Sequence, residues 1–264
     1  MPSVDTMSDA RASAAIDQLE RRLVDRGEAP PDLVHDWVAD TWARYDDAPV
    51  RAYVPILVER AVRARIGELS AGEETWSAQT PLRTWAWRTA ERLLAPELPR
   101  RWAHSRGVAQ RAARIAGAYP VEERELLVAA AWLHDIGYAP ALRDTGMHQI
   151  DGARYLARRG APWRVCALVA HHAGAQAVAN LVDLGDQLSV FADEQTPTRD
   201  ALWYCDMTTS PDGAEVTFAD RMAELCHRRT ADDPVIRALT VNGTERAAAV
   251  ERTEDALRAA RFVA

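Results

Sequence analysis

Apolar residues recur every three or four positions along most of the chain, and apolar alternation of the strand kind is almost absent. That spacing gathers side chains on one stripe of a helix and leaves a sheet without a buried face. An all-α fold is therefore predicted. The cleanest stripe is Val50, Tyr53, Val54, Leu57, Val58, Ala61, Val62 and Ile66. Two helices are expected before it. The first runs near Ala10 to Arg26, with Ile16, Leu19, Leu23 and Val24 on one face and Gly27 as its stop. Pro30 and Pro31 start the second, through Leu33, Val34, Trp37 and Val38. Three helices of this length bury little surface alone, so self-association would stabilise a module spanning 1–68.

Residues 69–82 (LSAGEETWSAQTPL) lose the periodicity and gather Ser, Gly, Thr and Pro, the composition of a linker. Beyond them the helical pattern returns, and 83–264 forms the second predicted domain. Its helices are expected near 84–95, 99–117, 121–136, 147–159, 162–173, 198–207, 213–229 and 233–262.

All 32 basic residues are arginine, which excludes Schiff-base chemistry and a P-loop lysine. The Ala/Arg bias itself reads as a GC-rich coding sequence. A net charge of -7 gives no general attraction to nucleic acid. Cys166, Cys205 and Cys226 form neither a CxxC pair nor an even framework, as expected of reduced, mostly buried thiols. No leader-like or membrane-length apolar run is evident, so a soluble cytoplasmic protein is expected.

Five of the seven histidines fall between positions 104 and 172, in four predicted helical segments. Imidazole and carboxylate suit Fe, Mn, Zn or Ni, and such clusters are costly to bury without a metal. His134 and Asp135 adjoin in AAAWLHDIGY, at the end of a helix that Gly137 is expected to stop. There, adjacent side chains can converge on one ion. His35 and His227 stand apart and read as hydrogen-bonded core residues.

WAHSRGVA, WLHDIGY, MHQIDGARYL, VAHHAG and YCDMTTSPDG follow one another in the order H…HD…H…H…D. The series resembles the HD superfamily of metal-dependent phosphohydrolases over roughly residues 84–230. The resemblance implies a first divalent ion on His104, His134, Asp135 and Asp206, and a second on His148 and His171, with Asp135 as the bridge. His172 is then left for substrate or a third ion. One or two divalent metals are implied, Fe or Mn foremost, with Zn, Ni and Mg also compatible. Separately, DDAPVRAYVPILVERAVRARI resembles a small bacterial three-helix dimerisation module, which implies a homodimer; an added helical cap on the main domain is the other reading.

Such a centre suits hydrolysis of a small-molecule phosphate ester, expected to be nucleotide-like, by a metal-activated water. Arginine would neutralise the remaining phosphoryl oxygens, and Arg106, Arg143, Arg154 and Arg221 lie near the motifs in sequence. Many relatives carry lysine after HDIG, whereas Tyr138 stands here and offers only a hydroxyl. That departure keeps open a mixed-valent di-iron oxygenase, which uses a nearly identical ligand set. A non-catalytic nucleotide-sensing regulator is the third reading.

Overall fold

The computed structural model describes residues 14–23, 31–45, 53–71 and 75–263. Among them the fold is all-α; the sole strand-like feature is an isolated bridge between Thr209 and Glu215. The chain divides into two compact units, Met1–Glu73 and Glu74–Ala264.

The first unit holds α1 (14–23), α2 (Pro31–Ala43) and α3 (Val54–Ala71). Its core joins Leu19 and Leu23 to Val34, Trp37 and Val38 and to Val54, Val58 and Val62. The stripe expected on α3 is narrower than predicted. The row at i, i+4 and i+8 is buried, while Tyr53 is 64% exposed and Leu57 and Ala61 also face solvent. Two short helices cover only a single row of a third. Val24, Gly27, Pro30 and Val50, and the side chains of Leu33 and Ile66, lie outside the described residues. His35 is exposed and pairs with Glu20, so it is no core residue.

The second unit comprises α4 (Leu82–Leu94), α5 (Pro99–Ile115), α6 (Val121–Leu133), α7 (His148–Arg158), α8 (Trp163–Ala170), α9 (Ala175–Leu181), α10 (Gly185–Leu188), α11 (Pro197–Met207), α12 (Phe218–Arg228) and α13 (Pro234–Val263). Helix α6 is its axis, packed against α4, α5, α8 and α11. From Leu126 onward it is apolar on all sides because two cores meet on it. Ala129 and Leu133 enter one, and Leu127, Val128, Ala130 and Ala131 enter the other. Helix α11 is buried from Thr198 to Met207 and lies against α13. Before α4, the Trp76 N–H donates to Arg159 O at 2.9 Å and its ring packs on the first core. His227 is exposed on α12, again not in the core.

Candidate metal centre

Most of the site sits at helix ends, where neighbouring helices of the bundle converge. His134 caps the C-terminus of α6 and Asp135 follows it. His148 begins α7, His172 lies in the turn after α8, and Asp206 stands in the last turn of α11. Only His104 comes from mid-helix, in α5.

Gly137 brings two of these ends together. A Cβ there would stand 1.9 Å from His148 O and 2.7 Å from Gly152 N. The turn after Asp135 therefore rests directly on the α7 backbone, and glycine serves close approach as well as helix termination.

The Asp135 carboxylate divides the cluster. Its Oδ2 lies 3.4 Å from His134 Nε2 and 3.9 Å from His104 Nε2. Its Oδ1 lies 3.4 Å from His148 Nε2 and 3.7 Å from His172 Nε2. His104 Nε2 also stands 3.1 Å from Asp206 Oδ1. His104, His134 and Asp135 form one group with ligand-sized spacing, and Asp135, His148 and His172 form another.

The donor set fits a cation. Nδ1 of His104, His134 and His172 lies 3.0, 2.8 and 2.6 Å from the carbonyls of Ser210, Ala131 and Val169. A carbonyl only accepts, so each Nδ1 carries the proton, and in the neutral ring Nε2 is a lone pair. Those lone pairs face carboxylates or one another: His148 Nε2 and His172 Nε2 are 3.1 Å apart, and buried His134 Nε2 has no hydrogen-bond partner. Fixing the distal nitrogen on a backbone carbonyl is how metal-ligating histidines are oriented.

The electrostatics agree. Burial would raise the Asp135 carboxyl, yet Arg101 and His134 hold it well below the usual carboxylate range. Burial likewise opposes ionisation of Asp206, and His104 and His134 outweigh it. Burial lowers His134, but the Asp135 charge lifts it above the ordinary histidine value. Carboxylates that attract a proton here would attract a metal in its place. Burial drives His148 well below that value.

Several expectations are corrected. His171 turns away, donating from Nε2 to Phe191 O at 2.6 Å, and its neighbour His172 enters the cluster instead. Helix α8 ends at Ala170, so the two rings diverge. Arg106 and Arg143 are exposed, and Arg154 bonds Asp144 and Gln187. Of the four chosen arginines, only Arg221 lines the recess at the cluster. Tyr138 lines it too, stacked on His148 with centroids 3.8 Å apart; burial raises its hydroxyl, which stays protonated.

Arg101 escaped the sequence reading. It donates to Asp135 Oδ2 at 2.7 Å, with its guanidinium carbon 4.0 Å from the Tyr138 ring centroid. Its position three residues before His104 on α5 is the signal that places both on one face.

Residues 101–223 match the model of the HD domain family, so the second unit carries an HD domain over that segment. No curated protein and no solved structure matches it. The matched segment spans His104, His134, Asp135, His148, His172 and Asp206, and stops before Arg228, Arg229 and Arg246.

Proposed function

We propose that the chain is a metal-dependent phosphohydrolase that cleaves a phosphate ester at this cluster, where Asp135 would help to hold each of two divalent ions. The supporting observation is the split carboxylate: Oδ2 faces His104 and His134, while Oδ1 faces His148 and His172. His104, His134, Asp135 and Asp206 would hold one ion, and Asp135, His148 and His172 the other. When bound, such ions supply a water acidic enough to attack near neutral pH and offset charge on the phosphoryl oxygens.

The chain's own groups do the rest. Backbone carbonyls fix the three imidazole tautomers, so the ligand face is set before an ion arrives. Arg101 and Arg221 line the cavity of about 340 Å³ beside His104, where they can orient phosphoryl oxygens through paired hydrogen bonds. Tyr138, kept protonated, supplies a neutral donor where many relatives have lysine.

The test is an anaerobic assay of manganese-loaded protein against nucleotides and generic phosphate esters. Release of phosphate or a monophosphate from at least one compound is expected, with loss in His134→Ala. Silence across the panel, with oxygen uptake by the iron form on a phosphonate or polyol, overturns the reading in favour of a di-iron oxygenase.

A further inference from the structure

Three arginines around the cluster each keep a buried Nε–H that nothing accepts. Arg221 on α12, Arg229 just beyond it and Arg246 on α13 all line the recess that contains Asp135, His172 and Asp206. Two have their charge partly answered, Arg221 by Glu224 and Arg229 by Asp233 at 2.7 Å. Arg246 has only the nearby charge of Asp206: it is 2% exposed, and among the described residues no hydrogen bond or ion pair engages its guanidinium.

Burying a guanidinium without hydrogen-bond partners is unfavourable unless something at the site compensates it. The fold nonetheless builds α13 against this place. Gly174 has φ +67, and a Cβ on it would stand 2.4 Å from Asn242 Nδ2 and 3.3 Å from Arg246 Nε. Asn242 Nδ2 donates to Gly174 O at 2.8 Å. The turn carrying His172 is thereby fastened to the helix carrying Arg246.

Charge and size define the ligand. Arg228 and Arg101 also line the recess, so five arginines and the carboxylates Asp135 and Asp206 surround it, with Glu224 pairing Arg228 as well as Arg221. The recess measures about 60 Å³, room for a few waters, a size that suits a phosphoryl group better than a base or sugar. Cavities of about 340 and 410 Å³ share lining residues with it and have room for the remainder of a substrate. An arginine fork bonds two phosphoryl oxygens at once, a geometry that an ammonium group cannot match.

We propose that Arg246, with Arg221 and Arg229, forms a second anion subsite beside the metal cluster, and that the substrate carries at least two closely spaced phosphoryl groups. This rests on the phosphohydrolase reading for the group held at the cluster. The second group lies on the three guanidiniums and completes their hydrogen bonding. Arg229 and Arg246 come from beyond the segment that matches the HD family, so the subsite belongs to the C-terminal helices.

The experiment is calorimetric titration of the metal-loaded full chain with methylenediphosphonate and with methylphosphonate. Wild type should prefer the diphosphonate by at least about tenfold. Arg246→Gln and Arg229→Gln should each reduce that ratio several-fold while metal content and methylphosphonate affinity hold. Arg246→Lys should recover only part of it. Metal uptake by the ligand is common to every variant and leaves the comparison intact. Should Arg246→Gln fail to fold, the more exposed Arg229 carries the test alone. An unchanged ratio in a folded, metal-bound variant overturns the subsite, even where monophosphates are hydrolysed. A ratio that falls as expected, in a protein that hydrolyses no phosphate ester, upholds the subsite and overturns the phosphohydrolase.

Discussion

His148 Nε2 lies 3.1 Å from His172 Nε2, on the opposite side of the Asp135 carboxylate from His104 and His134. His171, adjacent in sequence, spends its ring on the Phe191 carbonyl. The pair therefore separates a ligand from a structural residue. His172→Ala should lose metal from the Asp135–His148 side, to about half the wild-type content. His171→Ala should keep its metal and lose about 1–3 kcal/mol of stability, the cost of leaving a buried carbonyl unmatched. Metal analysis and urea denaturation of both variants decide it. Equal metal loss in the two would refute the assignment.

Asp135 is the only residue common to both ligand groups. Asp135→Asn keeps the shape and removes the charge that offsets the ions, so metal content should collapse. Any phosphate-ester turnover should fall by more than about 100-fold, the upper range for partners one step removed from a metal. Wild-type-like metal content in this variant would end the bridging role.

The helices and the order of motif residues were legible in the sequence; the choice between neighbours was not. Predicted spans at 99–117, 147–159 and 198–207 lie within two residues of α5, α7 and α11. The short α9 and α10 went unseen, since 7 and 4 residues cannot display a period. Helix α12 begins at Phe218 rather than near 213, because the Thr217 side chain accepts from Asp220 N at 3.1 Å and caps it there. His171 and His172 share one motif, and only the end of α8 at Ala170 decides which ring reaches Asp135. Arg106 follows His104 by two positions, which on a helix is about 200 degrees around the axis and faces solvent. Arg246 stands in no motif, and among 32 arginines nothing in its sequence neighbourhood marks it.

Gly137 joins the Asp135 turn to the start of α7 through backbone contact, so a methyl group there has nowhere to go. Gly137→Ala should cost about 3 kcal/mol or more, the upper end for overpacking, because the obstacle is His148 O at 1.9 Å rather than a flexible side chain. Gly117, with nothing within 4 Å of an added Cβ, is the control, and Gly117→Ala should stay within about 0.5 kcal/mol. Denaturant midpoints measure both. Equal stability of the two variants would show that the turn can move off α7.

Thiol reactivity checks the packing of the second unit. Cys226 is exposed, whereas Cys166 and Cys205 are buried, and burial pushes both their thiols up to about 12. At about pH 8, a thiol-specific reagent should modify one cysteine quickly and all three only after unfolding. Three fast equivalents from native protein would contradict the packing around α8 and α11.

Acid should empty the two halves of the centre in order. Burial lowers His134 but Asp135 outweighs it, so its proton competes with a metal from above the ordinary value of about 6.5. His148, pushed well below that value by burial, gives little competition until lower pH. As pH falls, the His104–His134 half should weaken first, releasing its ion as His134 takes up a proton. The His148–His172 half should persist further into acid. Competition titrations against a chromophoric chelator, repeated from about pH 8 to pH 5, report both affinities. If they fall together, or if the affinity retained to lower pH disappears in His134→Ala and survives in His148→Ala, the division of the ligands across Asp135 is wrong.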